Sequence, residues 1–366
     1  MAAACAAKME NPDVSVCIVE KGGKPGRKLL ATGNGRCNFT NSSCDDFTTV
    51  LDFFRKLGVM AREEEQGRIY PFSGRAEDVL RAFELFLGRS GVRIITGFAV
   101  DSIDYSIAGE MVVSFGMDQE VRGRKVLLAV GGKAGSQYGC TGDGYKLSRE
   151  AGHTVTKIIP ALSPLECAGD FEKIGGCRAK ASVTLLRKGE ALHSEKGEVQ
   201  FGDYGLSGIC VMNLSRYIRL DEWELSDYKI ACDFVPEMTE DEAVLELQRK
   251  SEVLSIPYEQ LLSSIVPRSL GEHILGMAGG HVRQAAHFLK NTRFTVSGVK
   301  GWKFAQCTSG GVLMDEIDPL TMESKIVKGL FFAGEILDYD GPCGGYNLNN
   351  AWITGIKAGR AMAKDV

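Results

Sequence analysis

A short apolar run that closes on an acid, followed at once by a glycine-punctuated basic loop, limits this chain to few folds. The run is Val14–Val19, ending at Glu20, and the loop is Gly26–Asn41, GRKLLATGNGRCNFTN. The run is rich in β-branched residues and alternates little, the pattern of a parallel strand buried on both faces. Strand, acid, then Gly/Arg/Lys loop is the order a nucleotide site needs. The carboxylate can bind ribose hydroxyls, while loop amides and cations meet phosphate or an electron-rich ring. The bland alternatives are an exposed strand-end acid at Glu20 and a solvated basic loop around Arg27, Lys28 and Arg36. Leu29 and Leu30 argue against the second by giving the loop an apolar anchor.

The rest of the chain supplies the partners of that strand. Met1–Lys8 is Ala-rich and reads as helix, and Asn11-Pro12-Asp13 is a turn signal. Asp46–Leu57 and Ala76–Leu87 have helical spacing, with Ser73 a candidate N-cap for the second. Short β-rich runs from Val92 to Arg122, including Val92–Ile95 and Met111–Phe115, read as a small antiparallel meander. Lys125–Val130 is a continuous apolar strand stopped by Gly131-Gly132. Ile158–Val235 has short strands and many turns, and Thr239–Lys290 is mostly helical, with its acids early, where the helix dipole favours them. Phe294–Val312 returns to strands, Gly329–Ala333 is a last buried strand, and Asn349–Ala363 a closing amphipathic helix.

The expected fold is therefore α/β. A discontinuous Rossmann-like domain (residues 1–157 and 293–366) is interrupted by a β-rich insertion (158–237) and a helical subdomain (238–292). The 366 residues suffice for such an arrangement. A net charge of −4 without a basic tract gives no nucleic-acid footprint. No apolar run approaches the roughly 20 residues of a membrane span. The 11 scattered cysteines form no C-x-x-C pair, which disfavours a zinc ribbon or a disulfide framework and fits a reducing cytoplasm. The five histidines show no metal-ligand spacing, so no metal is expected and packing roles are the default.

Four stretches resemble one family. GRKLLATGNGRCNFTN, GRIYPFSGRAEDV (Gly67–Val79), TGDGYKLSREAGH (Thr141–His153) and GLFFAGEILDYDGPCGGYNLNNAWITGIKAG (Gly329–Gly359) are similar to the BaiN-like (YhiN-like) FAD-dependent flavoproteins, also labelled aminoacetone-oxidase-like. The resemblance covers nearly the whole chain. It implies FAD as cofactor, with NAD(P)H as a transient reductant on the substrate side of the flavin. Reduction of a small organic substrate is the expected chemistry, as some relatives reduce carbon–carbon double bonds of bile-acid-type intermediates. Amine oxidation, or flavin binding without turnover, are the rivals. Substrate is expected to enter between the insertion and the flavin, since pockets favour domain interfaces.

Carried onto this sequence, the resemblance implies cofactor contacts from Glu20, Lys21, Arg27, Lys28, Thr32, Gly33, Gly35, Arg36, Cys37 and Asn38. In the middle of the chain it implies Gly131, Gly132, Thr141, Gly142 and Asp143. Near the end it implies Gly334, Glu335, Asp338, Gly344, Gly345, Tyr346 and Asn347. Arg36 or Arg27 is expected at the N1–C2=O edge of the flavin, where positive charge stabilises the reduced anion. A strand-end acid, Glu335 or Asp338, binds ribityl hydroxyls in related flavoproteins. The helix after Gly344-Gly345 would aim its N-terminus at the flavin pyrimidine; an ordinary glycine turn with a tyrosine plug is the alternative. Gly131-Gly132 fits close cofactor approach or a simple tight turn, and Asp143 a helix cap or a cofactor contact. The catalytic group is undetermined, with Arg36, Asn38 and Tyr346 as candidates. Cys37 reads as buried and inert, with a flavin–dithiol relay through Cys37, Cys140 and Cys343 the lesser reading.

One expectation concerns the start of the chain. In a dinucleotide fold the second-strand acid lies roughly 20 residues beyond a Gly-x-Gly-x-x-Gly turn. Counting back from Glu20 puts that turn at or just before Met1, so the sequence is expected to begin inside a longer product and, as written, to bind FAD poorly and be unstable; the alternative is a variant that replaces the strand with another segment or a partner.

Overall fold

The parallel pairing of Cys17–Glu20 with Arg93–Thr96 anchors the fold, Ile18 lying opposite Ile94 and Val19 opposite Ile95. The computed structural model describes residues 1–107, 109–218 and 224–364. The chain divides into two units, Met1–Ile159 with Cys307–Val366, and Pro160–Gln306. The first is assembled from both ends of the chain.

In that unit a second parallel pair joins Val126–Leu128 to Leu330–Phe332, whose three residues are all buried. The helix Ala76–Arg89 leads into Arg93–Thr96 and buries Val79, Leu80, Phe83 and Leu87, one face at helical spacing. Arg93–Thr96 was expected in the antiparallel meander; instead it completes this strand–helix–strand crossover. Its isoleucines find β-branched partners on Cys17–Glu20, so packing across the parallel pair decides the assignment. The meander holds only Val100–Asp104, Met111–Phe115 and Gln119–Gly123. The first strand also starts later than expected. The Val14 amide donates to Asn11 O in the preceding turn, and strand geometry begins at Cys17. The N-cap of Ala76–Arg89 is Arg75 rather than Ser73, with Glu77 and Asp78 favouring the first turn through the helix dipole.

An aromatic core ties the two ends of the chain together. Phe54 lies 4.6 Å from Phe39 and 5.3 Å from Trp352, centroid to centroid, and Phe83 lies 5.8 Å from Trp352. Phe39 belongs to the basic loop's motif and Trp352 to the closing helix Tyr346–Ala363. The Ala2–Glu10 helix packs on that same closing helix, where Gly359 stands against the Ala3 backbone with no room for a Cβ.

The second unit is a closed six-stranded barrel, in the order Leu165–Cys167, Gly205–Ser207, Glu190–Gly202, Arg178–Arg187, Tyr228–Asp233 and Thr292–Val299. Arg178–Arg187 shows why: Ala179, Ala181, Val183 and Leu185 are buried and alternate with exposed or half-buried residues until the register shift at Leu186. The return to the first unit lies at Cys307 rather than 293, because Thr292–Val299 closes the barrel. The helices Glu240–Glu252, Arg268–Ala278 and Val282–Lys290 share one hydrophobic core with the barrel instead of forming a subdomain apart. The first of them opens on a capping box, with Glu242 N donating to Thr239 Oγ1 and Thr239 N to Glu242 Oε2. No helix among the described residues is long and apolar enough to cross a membrane.

Candidate functional site

The two long motifs meet in the first unit. Thr40 Oγ1 donates to Asn349 Oδ1 at 2.6 Å, Asn41 Nδ2 to Gly344 O at 2.9 Å, and Trp352 Nε1 to Phe39 O at 2.9 Å. These bonds seat Asn38–Asn41 against the N-terminus of Tyr346–Ala363. Gly344 (φ 125°) and Gly345 (φ 104°) are left-handed, and a Cβ on Gly345 would overlap the Thr40 carbonyl. Only glycine permits that approach. The loop Gly341–Asn347 is closed by a reciprocal pair: Gly341 N donates to Asn347 Oδ1 and Asn347 Nδ2 to Gly341 O, both at 2.8 Å. Tyr346 is half-buried at the first helical position.

The Gly26–Asn41 segment is compact rather than extended. Arg27–Ala31 is a short helix, Gly33 and Asn34 are left-handed, and Cys37 follows at φ 58°. Thr32 Oγ1 donates to Leu29 O at 2.6 Å. Cys37 is fully buried, which pushes its thiol up to about 12. Burial of this kind favours the protonated, unreactive thiol. Asn38 is buried beside it, and among the described residues its Oδ1 has no hydrogen-bond partner. That atom lies 3.1 Å from where a Gly345 Cβ would stand, at the mouth of the helix N-terminus. An orphaned buried acceptor is costly unless something supplies a donor.

Two of the basic residues find acids beside the glycine pair and the last strand. Lys28 pairs with Glu335 and Lys21 with Asp143, the latter at 2.6 Å. Burial opposes the Asp143 charge, yet Lys21 and Thr141 outweigh it and hold the carboxyl below its usual range. Glu335 follows the last strand, and its Oε1 accepts from Thr308 N at 2.9 Å and Thr308 Oγ1 at 3.0 Å. Thr308 Oγ1 in turn accepts from the Lys133 and Ala134 amides at 2.8 and 3.0 Å. A Cβ on Gly132 would stand 2.9 Å from Glu335 Oε1 and overlap Thr308, so Gly132 is glycine to admit this network. Gly131 is left-handed with open space around it. Burial pushes the Cys140 thiol up, with Lys28 and Lys21 opposing the shift and Glu335 and Glu20 adding to it. Glu20 Oε1 accepts from Gly22 N at 2.7 Å at the strand end.

Two more of the expected contributors have protein partners. Arg36 lies over the Tyr70 ring at 4.2 Å and pairs with Glu64 through both guanidinium nitrogens. Asp338 accepts from Thr156 Oγ1 at 2.9 Å. Gly142 is the N-cap of Asp143–Glu150, so Asp143 is the first helical residue rather than its cap. Thr308, Thr40 and Asn349 were not singled out in the sequence; a lone threonine in a short strand carries no periodic or motif signal. No group of three or more metal-ligating side chains occurs among the described residues.

Against known proteins, the chain matches the HI0933-like protein Rossmann domain over residues 45–361. It belongs to that family. It is 35% identical to the 3-dehydro-bile acid delta(4,6)-reductase of Clostridium scindens, across 99% of this chain and 96% of that protein. It is 25% identical to the ribosomal RNA dihydrouridine synthase of Haemophilus influenzae and 26% identical to that of Escherichia coli, each across 95% of this chain and 92% of the relative. In fold it is similar to the 3-ketosteroid-delta4-(5alpha)-dehydrogenase of Rhodococcus jostii, solved with 4-androstene-3,17-dione. That match has a TM-score of 0.51 and 14% identity over 99% of this chain and 94% of that one. The family is the one implied by the resemblance of the motifs.

Proposed function

We propose that this chain is an FAD-dependent reductase acting on a carbon–carbon double bond conjugated to a carbonyl in a small organic molecule. The observation that carries the reading is the clasp of Asn38–Asn41 on the closing helix, with Asn38 Oδ1 buried and lacking a donor. A flavin ring fits that need. Asn38 Oδ1 would accept from a ring N–H, and the helix N-terminus would suit the pyrimidine carbonyls. Glu20, at a strand end, suits ribose hydroxyls. Bound FAD supplies hydride transfer. The chain's residues would hold and orient it: the amides at the start of Tyr346–Ala363 would stabilise negative charge on the ring, and Asn38 would accept one of its N–H groups. Glu335 and Asp143, with their lysines, set the polar floor. Tyr346, at the mouth of that helix, is our candidate to hand a proton to the substrate. Arg36, engaged with Glu64 and Tyr70, is our candidate for stiffening the loop rather than for touching the ring.

The named activities of the relatives support the substrate chemistry. Reduction of a 3-dehydro bile acid at delta(4,6) and formation of dihydrouridine both add two hydrogens across a double bond conjugated to a carbonyl. The greater identity to the bile-acid enzyme and the net charge of −4 favour a small, steroid-like substrate over RNA. NAD(P)H is the reductant we assign, exchanging with substrate in ping-pong fashion. None of the 11 cysteines forms a disulfide, in keeping with a cytoplasmic setting.

The test is an absorption spectrum of the purified chain for flavin bands, then anaerobic reduction by NADH or NADPH. Substrate is then offered as a 3-oxo-4,6-diene steroid acid, as unmodified ribosomal RNA, or as an amine with oxygen uptake followed. Turnover of the steroid acid alone is expected. Dihydrouridine formation would move the reading to RNA, and oxygen uptake with amine to an oxidase.

A further inference from the structure

The second unit carries a cavity of about 340 Å³ beside the Glu240–Glu252 helix, a size in the range of small-molecule sites. Val235, Leu247 and Leu289 make its buried floor, while Met238 and Leu254 stand exposed at its rim. Into this apolar lining comes a buried cation. Lys250 is 6% exposed, and its ammonium donates to the Ser263 carbonyl at 2.7 Å. An ammonium has three N–H donors, so that bond leaves capacity for further acceptors.

The other charged groups lining the cavity are Glu246 and Arg249, and they are committed to each other. Arg249 Nε and Nη2 donate to the two Glu246 oxygens at 2.8 and 2.7 Å. Lys250 therefore sits near a carboxylate that is already neutralised. Burial lowers its pKa, Glu246 opposes the shift and Arg249 adds to it. A buried cation without its own counter-ion is unfavourable, and a ligand that brings one anionic group removes the cost.

We propose that this cavity binds a small amphipathic monocarboxylate, with its acid on the Lys250 ammonium and its hydrocarbon body on Val235, Leu247 and Leu289. The site is built wholly within the second unit, and it stands whether or not the flavin reading holds.

Calorimetric titration of the full chain with decanoate, decan-1-ol and decylamine tests it. Decanoate is expected to bind once per chain, and decan-1-ol and decylamine at least about tenfold more weakly. Lys250→Met keeps the side chain's apolar bulk and removes its charge, and should weaken decanoate by at least about tenfold. Met238→Trp narrows the mouth from the exposed rim without touching the core, and should weaken it as well. It keeps the test decisive if the Lys250 variant does not fold. Equal affinity for decanoate and decan-1-ol, no binding of decanoate at all, or binding unchanged by these substitutions overturns the proposal.

Discussion

Thr40 Oγ1 and Asn349 Oδ1 lie 2.6 Å apart, joining the two long motifs through residues 309 positions apart in the chain. Both side chains are buried, and the threonine hydroxyl is the donor. Thr40→Val keeps the shape and leaves Asn349 Oδ1 without that donor, at a cost of about 1–3 kcal/mol. Because the bond sets the approach of Asn38 to the helix N-terminus, flavin affinity should fall with stability. Urea melts and flavin release, measured on the same variant, check this. Unchanged flavin affinity in a destabilised variant would separate the clasp from the cofactor.

The glycine pair after Val126–Leu128 permits a sharper experiment. Gly131→Ala places a side chain at φ 74° in open space, costing about 1–2 kcal/mol in backbone strain alone. Gly132→Ala meets Thr308 and Glu335, so it displaces the acid that holds Lys28. Flavin occupancy is expected to fall in Gly132→Ala and to hold in Gly131→Ala. The reverse order would mean that the Thr308–Glu335 network does not shape the site.

This network marks where the sequence stopped being legible. The basic loop, the strand-end acids and the glycine-led closing helix all carry local signals, because loop chemistry and caps are written in neighbouring residues. Thr308 reaches Glu335 and the Lys133 amide from a stretch of chain remote from both. Arg36 spends its charge on Glu64, 28 positions away. The barrel closes through Thr292–Val299, whose alternation reads alike in either unit. Arg93–Thr96 was misassigned because β-branched residues suit a parallel or an antiparallel neighbour equally.

Buried thiols give the stability a signed pH dependence. Burial raises Cys5, Cys37 and Cys167 from the ordinary 9.0 to about 12. Between those values the unfolded chain has released protons that the folded chain still holds, so stability falls as pH rises. It is unaffected by these groups below the unfolded value. Each thiol contributes up to about 1.4 kcal/mol per pH unit in that window. Urea melts at pH 8 and pH 10 should show the loss, and Cys37→Ala should reduce its slope. Iodoacetamide should leave Cys37 unmodified in the folded protein at neutral pH, and rapid labelling there would contradict the burial.

His153 supplies the last prediction. Its side chain is fully buried, with Nδ1 2.9 Å from Glu316 Oε2 and Nε2 2.8 Å from Ser324 Oγ. The spacing imitates a nucleophilic triad, but Ser324 is spent. Its hydroxyl oxygen accepts from Ile326 N at 3.0 Å and Val327 N at 2.8 Å. With those acceptor sites filled, the hydroxyl proton must point to His153 Nε2, and the imidazole proton then sits on Nδ1 and donates to Glu316. Glu316 also accepts from Thr154 N at 2.9 Å, so the three side chains pin the Thr154 backbone to the Glu316 and Ser324 turns. The arrangement is a structural lock. His153→Leu should cost about 2–3 kcal/mol, since it leaves Ser324 and Glu316 each short of a partner. Ser324→Ala should cost less, and the double variant should cost less than the sum, with a coupling of about 1 kcal/mol. Nitrogen chemical shifts of the ring should report the Nδ1–H tautomer. A protonated Nε2, or strictly additive losses, would dismantle the lock.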